Sequence, residues 1–234
     1  MTRVYVIGVG GTGSNLLKEF AWYLSRSNKQ NDIELTIIDG DMVEEKNLDR
    51  QWFSEDMIGI HKSEAMALTL QDIFGINICY HTDYLTNLQE MKEIFGMGAT
   101  QEDAPIIISC VDNHHVRKLL HEIYEQAANL YIIDSANEFS SGEVVVSMKI
   151  EHVPVYPDRS YYFPEILENS KPVTEMGCEE LNNASPQHLI TNLYAANICF
   201  AQLLAILDGN LTTGGIYYFD ALSSTCKKGN RKNA

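Results

Sequence analysis

Short apolar runs alternate with stretches of helical periodicity through the first two thirds of the chain. Residues 4–8 form an apolar run that predicts a strand. Residues 13–26 follow with Leu16, Leu17, Phe20 and Leu24 on one helical face. A polar connection over 27–32 leads to ELTIID at 34–39, β-branched and ending in acid, the pattern of a buried parallel strand. Helical periodicity returns at 60–74, with Ala65, Ala67, Leu68, Leu70 and Ile73 as its apolar positions. Strand 76–81, helix 84–95, strand 105–109, helix 113–128 and strand 131–134 continue the alternation, and a sixth strand over 143–149 is expected to run antiparallel. The pattern predicts an α/β fold: a Rossmann-like doubly wound sheet, mostly parallel, with antiparallel strands in the C-terminal part. Right-handed crossovers place the strand C-termini on one edge, so ligand-binding residues are expected just after the strands.

The alternation stops at Ile150. Residues 150–185 lack periodicity, hold Pro154, Pro157, Pro164 and Pro172, and cluster Tyr156, Tyr161 and Tyr162. That length predicts a functional loop. The tyrosines are expected to pack the loop, although they could line a groove for an extended peptide tail. Ser185 is expected to cap a helix with Pro186 at its first position. That helix runs to Leu207 and is apolar on several faces, so burial is expected. A strand over 215–219 and a disordered basic tail over 226–234 complete the chain. The predicted organisation is a core over 1–150, a crossover-type loop over 151–185, a helix and strand of the same domain over 186–225, and a tail. There is no internal repeat.

The chain has 234 residues, enough for one large domain or a domain and a half. A formal charge of −15 argues against non-specific binding of nucleic acid and suits a basic protein partner. No apolar run reaches the roughly 18 residues of a membrane span, and the chain enters its first strand at once, so neither a membrane segment nor a signal peptide is expected. Cys79, Cys110, Cys178, Cys199 and Cys226 are scattered without a C-x-x-C pair. This predicts reduced thiols in a cytoplasmic protein and no zinc site.

Candidate chemistry begins with VIGVGGTGSN at 6–15. Gly8, Gly10, Gly11 and Gly13 allow a backbone to approach a ligand closely, and the helix that follows offers free N–H groups to phosphate. There is no P-loop pattern. Asp39, at the end of the second strand, suits ribose hydroxyls. To this point NAD and ATP fit equally. The block IDGDMVEEKNLDRQ at 38–51 separates them. Asn47, Arg50 and Gln51 lie within five residues, and Arg50 can grip phosphate oxygens by its fork. Lys62 ends IGIHK near a helix start, and CVDN at 110–113 places Asp112 at the sheet edge, free to hold magnesium. Singly, Arg50 and Lys62 are ordinary surface cations, and Asp112 and Asn113 are helix caps. Together on one edge they are what nucleotidyl transfer from MgATP requires.

GVGGTGS, IDGDMVEEKNLDRQ, IGIHK and CVDN, in that order, resemble the E1-like adenylating enzymes: the ThiF, MoeB and HesA group and the adenylation domains of ubiquitin-activating enzymes. GCEELNNASPQHLITNLYAA also resembles small ThiF-type proteins of bacterial modification gene clusters. The resemblance implies that the C-terminal carboxylate of a small β-grasp protein, ubiquitin-like or sulfur-carrier-like, attacks the α-phosphate of ATP to form an acyl-adenylate and pyrophosphate. It assigns the ribose to Asp39 and the phosphates to Gly8, Gly10, Gly11, Gly13 and Ser14. Asn47, Arg50, Gln51 and Lys62 would orient and neutralise the triphosphate, Asp112 would hold Mg2+, and Asp41 and Asn113 would complete the cofactor site. It also implies a homodimer or an E1-like heterodimer.

Two features depart from that family. Its dimers carry an arginine on a helix before the first strand, where this chain has only Arg3; the zinc cysteines of MoeB are also missing. Some relatives pass the acyl group to a cysteine. Cys178 is the candidate here, although Glu175, Glu179 and Glu180 beside it should raise its pKa. Cys79, Cys110 and Cys199 are expected to be structural, and Cys226 is a lesser candidate. His114 is expected near the phosphates. Other readings are a non-catalytic E1-like scaffold, a relative acting on a small peptide or tRNA, and a dinucleotide oxidoreductase, in which Arg50, Gln51, Lys62 and Asp112 would share no purpose.

Overall fold

Val4 and Val6 turn to one side of the first strand and Tyr5 and Ile7 to the other, and all four are buried. Both faces of the sheet are therefore covered, as the unbroken apolar runs predict. The computed structural model describes residues 1–97, 104–168, 172 and 188–229. Its strands are β1 (Thr2–Ile7), β2 (Ile33–Ile38), β3 (Ile78–His81), β4 (Ile106–Ser109), β5 (Leu130–Asn137), β6 (Ser141–Ile150), β7 (Val153–Tyr156), β8 (Gly215–Asp220) and β9 (Thr225–Lys228). Its helices are α1 (Gly11–Arg26), α2 (Lys62–Phe74), α3 (Leu88–Ile94), α4 (His114–Gln126) and α5 (Leu189–Leu207).

The strands form one sheet in the order β3-β2-β1-β4-β5-β6-β8-β9, with β7 also paired to β6. From β3 to β5 the pairs are parallel; from β5 to β9 they are antiparallel. The expected mixed, doubly wound sheet is what forms. Side chains of α1, α2 and α5 share a core with Val4, Val6, Ile106, Ile108 and Ile133, while α3 and α4 cover Tyr5, Ile7, Ile107 and Ile132 on the opposite face. The strand order reverses at β1, whose neighbours β2 and β4 carry the chain in opposite directions. The crevice above β1 and β4 is the place such sheets use for ligands.

Several expectations change. Residues 84–87 are not helical: α3 begins at Leu88, because Asn87 accepts a hydrogen bond from the Glu90 N–H and caps it there. Within 150–185, residues 153–156 form β7, an outer strand paired to β6 with Pro154 opposite Lys149, and proline is tolerated in outer strands. The last described helix starts at Leu189 with His188 as its cap; Ser185 and Pro186 lie outside the described residues. Residues 225–228 are not a tail but β9, in register with β8 through Phe219–Cys226 and Tyr218–Lys227.

By length and composition α5 is apolar enough to cross a bilayer, contrary to the expectation that no such segment exists. One side of it is nevertheless core: Ala195, Ala196, Cys199, Leu203 and Ile206 are buried, and Phe200 meets Phe20 and Tyr23 of α1 edge-on. The tyrosines of the loop also pack. Tyr162 is buried with Val145 and Ile216, and the ring of Tyr156 occupies the space a side chain would need at Gly214.

Candidate functional site

The loop after β1 makes its turn at Gly8, whose φ is +88°, a conformation that favours glycine. A Cβ there would lie 2.9 Å from the Cys110 carbonyl oxygen, and a Cβ at Gly13 would lie 1.9 Å from the Gly8 oxygen. These two glycines exist for close packing of loop, helix and β4. Gly10 is different. Beyond its own chain neighbours, no atom lies within 4 Å of where its Cβ would be, so the loop is open to the crevice there. Gly10 caps α1 without a side chain, and the first N–H groups of that helix have no acceptor within it. Their open donors and the helix dipole favour an anion.

Asp39 closes β2 beside this loop. Its Oδ2 accepts from the Val9 N–H at 2.5 Å and its Oδ1 from the Asp41 N–H at 2.8 Å. Burial pushes its pKa up to about 6, against the pull of the Lys62 charge and the two backbone donors. The next stretch folds back on itself. Val43 and Ile60 pair through a backbone hydrogen bond, Met42 and His61 form a bridge, and the Lys62 N–H donates to the Asp41 carbonyl. This return brings Lys62, the first residue of α2, against Asp41: Nζ to Oδ2 is 2.8 Å, with Lys62 buried and Asp41 half-exposed. Tyr84 donates its hydroxyl to the other oxygen of Asp41, and its ring fills the space above Gly40. Burial pushes the Asp41 pKa up, but the Lys62 charge and the two side-chain donors outweigh it and hold the carboxyl below its ordinary value.

Asn47, Arg50 and Gln51 are carried on a turn that docks on α1. The Asn47 Oδ1 accepts from the Glu44 N–H, closing a capping box, and the Asn47 carbonyl accepts from the Arg50 and Gln51 N–H groups. The Trp52 N–H donates to Ser14 Oγ at 3.3 Å, which fixes the turn against the first turns of α1. Asn47 is therefore buried and committed to local structure. Arg50 is half-exposed and makes no ion pair among the described residues, and Gln51 Oε1 is buried without a hydrogen-bond partner. Both have polar capacity to spare beside the glycine loop.

The fourth motif enters from β4. The Cys110 N–H donates to the Ile7 carbonyl at 2.8 Å, so the CVDN turn rises directly beside Gly8. Asp112 is exposed there and makes no hydrogen bond or ion pair among the described residues. Asn113 caps α4 by accepting from the Val116 N–H, so its side chain is already used. Arg117, buried in α4, donates to the Val111 and Ser135 carbonyls at 2.7 and 3.0 Å and fixes the turn that carries Asp112. A free carboxylate with solvent access at this edge fits an octahedral cation that keeps several waters and shares phosphate oxygens.

The crevice thus unites Gly8, Gly10, Gly11, Gly13, Ser14, Asp39, Asp41, Arg50, Gln51, Lys62 and Asp112. His114 is exposed at the start of α4, while the His115 ring meets the Thr86 carbonyl at 2.9 Å. Cys178 lies outside the described residues. Cys226 sits on β9, four strand spacings or about 19 Å across the sheet from β4, too far to act at this crevice. Arg3 donates to the Phe95 carbonyl, where it holds the end of α3. Sequence reasoning missed Tyr84, placed within a helix, and Arg117, whose signal was a cation at a buried position of α4.

Comparison with known proteins bears on the family and the fold. The profile of the ThiF family matches residues 1–233. Ubiquitin-like modifier-activating enzyme 5 of Xenopus laevis is 29% identical over 142 residues, 58% of this chain and 34% of that protein. The crystal structure of E. coli MccB with ATP superposes with a TM-score of 0.71 at 16% identity, covering 98% of this chain and 64% of MccB. MccB with AMPCPP and MccA gives 0.70 at 15% identity, covering 100% and 64%. The chain spans about a third of the length of the curated relative it matches. From its four converging motifs and from a profile that spans nearly its whole length, the chain belongs to the ThiF family.

Proposed function

We propose that this chain adenylates a carboxylate at the expense of ATP, and that the carboxylate is the C-terminus of a small ubiquitin-like, β-grasp protein. One observation carries the reading: motifs separated by about a hundred residues converge on the β1–β4 crevice, where Gly10 opens onto free space and the Arg50 and Asp112 side chains make no hydrogen bond or ion pair among the described residues. In-line displacement at a phosphorus needs positioning and charge neutralisation more than covalent help from the protein. Asp39 takes the ribose hydroxyls. The N–H groups at the start of α1 hold phosphate oxygens. Arg50 grips the triphosphate by its fork, and Lys62, with three N–H donors, can keep Asp41 and still donate to phosphate. Asp112 would hold Mg2+, which when bound neutralises charge on the phosphates.

The substrate class is supported by the likeness to an enzyme that activates a ubiquitin-like modifier and by the MccB structure that contains MccA. The additional cation that the family resemblance expects would come from a second chain, a copy or an E1-like partner; Arg3 itself is engaged at α3. Exchange of labelled pyrophosphate into ATP tests the reading, with a panel of β-grasp proteins ending in glycine and of free peptides. Exchange that depends on a β-grasp protein and on Arg50 supports it. Exchange with peptides alone replaces the substrate class. ATP binding with no exchange for any carboxylate points instead to the scaffold. Loss of an onward thioester in Cys178→Ser would extend the reaction to transfer.

A further inference from the structure

A polar knot lies under the glycine loop and ties Thr12 to two residues outside the four motifs, Asn137 and Asn192. Asn192, in the first turn of the mostly apolar α5, is completely buried. Its Oδ1 accepts from Asn137 Nδ2 at 3.2 Å and from Thr12 Oγ1 at 3.4 Å; Thr12 in turn accepts from Asn137 at 2.8 Å. With Oδ1 accepting these two bonds, Nδ2 faces the opposite way. It lies 2.1 Å from the position a Cβ would take on Gly11. There it is buried with no acceptor among the described residues. Gly11 and Thr12 are the first two residues of α1, whose N–H groups are the open donors of the crevice.

We propose that Asn192 is a positioning residue for the phosphates of the bound nucleotide. Its carbonyl end holds Thr12 inward, so that the first turn of α1 presents its backbone donors to the crevice. Its donor end, pressed on Gly11, adds a fixed positive partial charge to the N-terminal end of the helix dipole. A buried donor without an acceptor weakens the unliganded fold, and an anion at the helix start gives it a favourable field. The bareness of Gly11 follows from the same contact: the space its side chain would need belongs to the amide of Asn192. The N-terminal half of α5 is thereby part of the nucleotide site, although it lies about 180 residues beyond the glycine loop in sequence.

This proposal rests on the nucleotide reading, so its test uses two ligands that share the nucleoside and differ in phosphate. MgATP and adenosine are titrated calorimetrically into the full chain and into Asn192→Asp and Asn192→Ser. The Asp variant keeps the shape and both accepted bonds but puts an anionic oxygen where the donor was. The expected result is MgATP affinity at least tenfold weaker in Asn192→Asp, a smaller loss in Asn192→Ser, and adenosine affinity within twofold in both. If Asn192→Asp does not fold, the same comparison stands on Asn192→Ser. Equal losses for both ligands would reduce Asn192 to a packing residue and overturn the proposal, as would unchanged MgATP affinity. A wild-type chain that binds neither ligand would remove the nucleotide reading itself and this proposal with it.

Discussion

At the scale of single residues the crevice separates groups that serve the fold from groups that serve a ligand. Gly13→Ala drives a Cβ into the Gly8 carbonyl and should cost about 3 kcal/mol or more of stability. Gly10→Ala meets no protein atom and has an ordinary φ of −74°, so its stability should stay within about 1 kcal/mol while MgATP binding is lost. Denaturant titration and calorimetry on the pair check this; a destabilised Gly10→Ala that still binds ATP would contradict the assignment. Arg50→Ala should likewise leave stability within about 0.5 kcal/mol and, on the proposed function, weaken MgATP roughly 10- to 100-fold, since the side chain makes no hydrogen bond or ion pair among the described residues. Asp39 gives a pH signature. Its folded pKa of about 6 lies above the ordinary 3.8, so the folded state holds the proton more tightly than the unfolded chain. The resulting stabilisation is full below about pH 3.8 and is lost as pH rises through 6, a change of about 3 kcal/mol. The stability of the ligand-free wild type relative to Asp39→Asn should therefore fall between pH 4 and 6 and level off above 7. A flat difference would return Asp39 to an ordinary carboxylate.

Elements show which parts of the architecture were legible in the sequence and why. The parallel strands β1, β2 and β4 declared themselves because burial on both faces demands unbroken apolar runs, and Asp39 and Asp112 could be placed because they directly follow such strands. β9 was illegible. TCKK is exposed at every position and has no apolar run; what specifies it is pairing with β8 and the contacts of Lys228 with Thr212, Tyr156 and Tyr217. Chain termination after Ser224 should therefore expose the β8 edge and lower stability by about 1–3 kcal/mol, while MgATP affinity, about 19 Å away, stays unchanged. A fully stable truncation would make β9 dispensable. Tyr84 was hidden because the apolar pattern of α3 extends back past Asn87, the cap at which the helix starts. Asn192 did leave a trace, a Thr–Asn pair inside an apolar helix, but which loop it meets is set by tertiary packing of α5 on α1.

The whole molecule gathers residues 8–14, 39–62 and 110–113 on one sheet edge, and only the reversal of strand order at β1 makes them neighbours. The central claim is that this edge is a MgATP site. Thermal unfolding of the purified chain, alone and with MgATP, ATP plus chelator, NAD or FAD, and beside Asp112→Ala, tests it without knowledge of the substrate, because a ligand selective for the folded state raises the melting temperature. The account predicts a rise with MgATP that the chelator and Asp112→Ala each diminish, and none with NAD or FAD. A rise with NAD or FAD alone, or no response to ATP with or without magnesium, would contradict it.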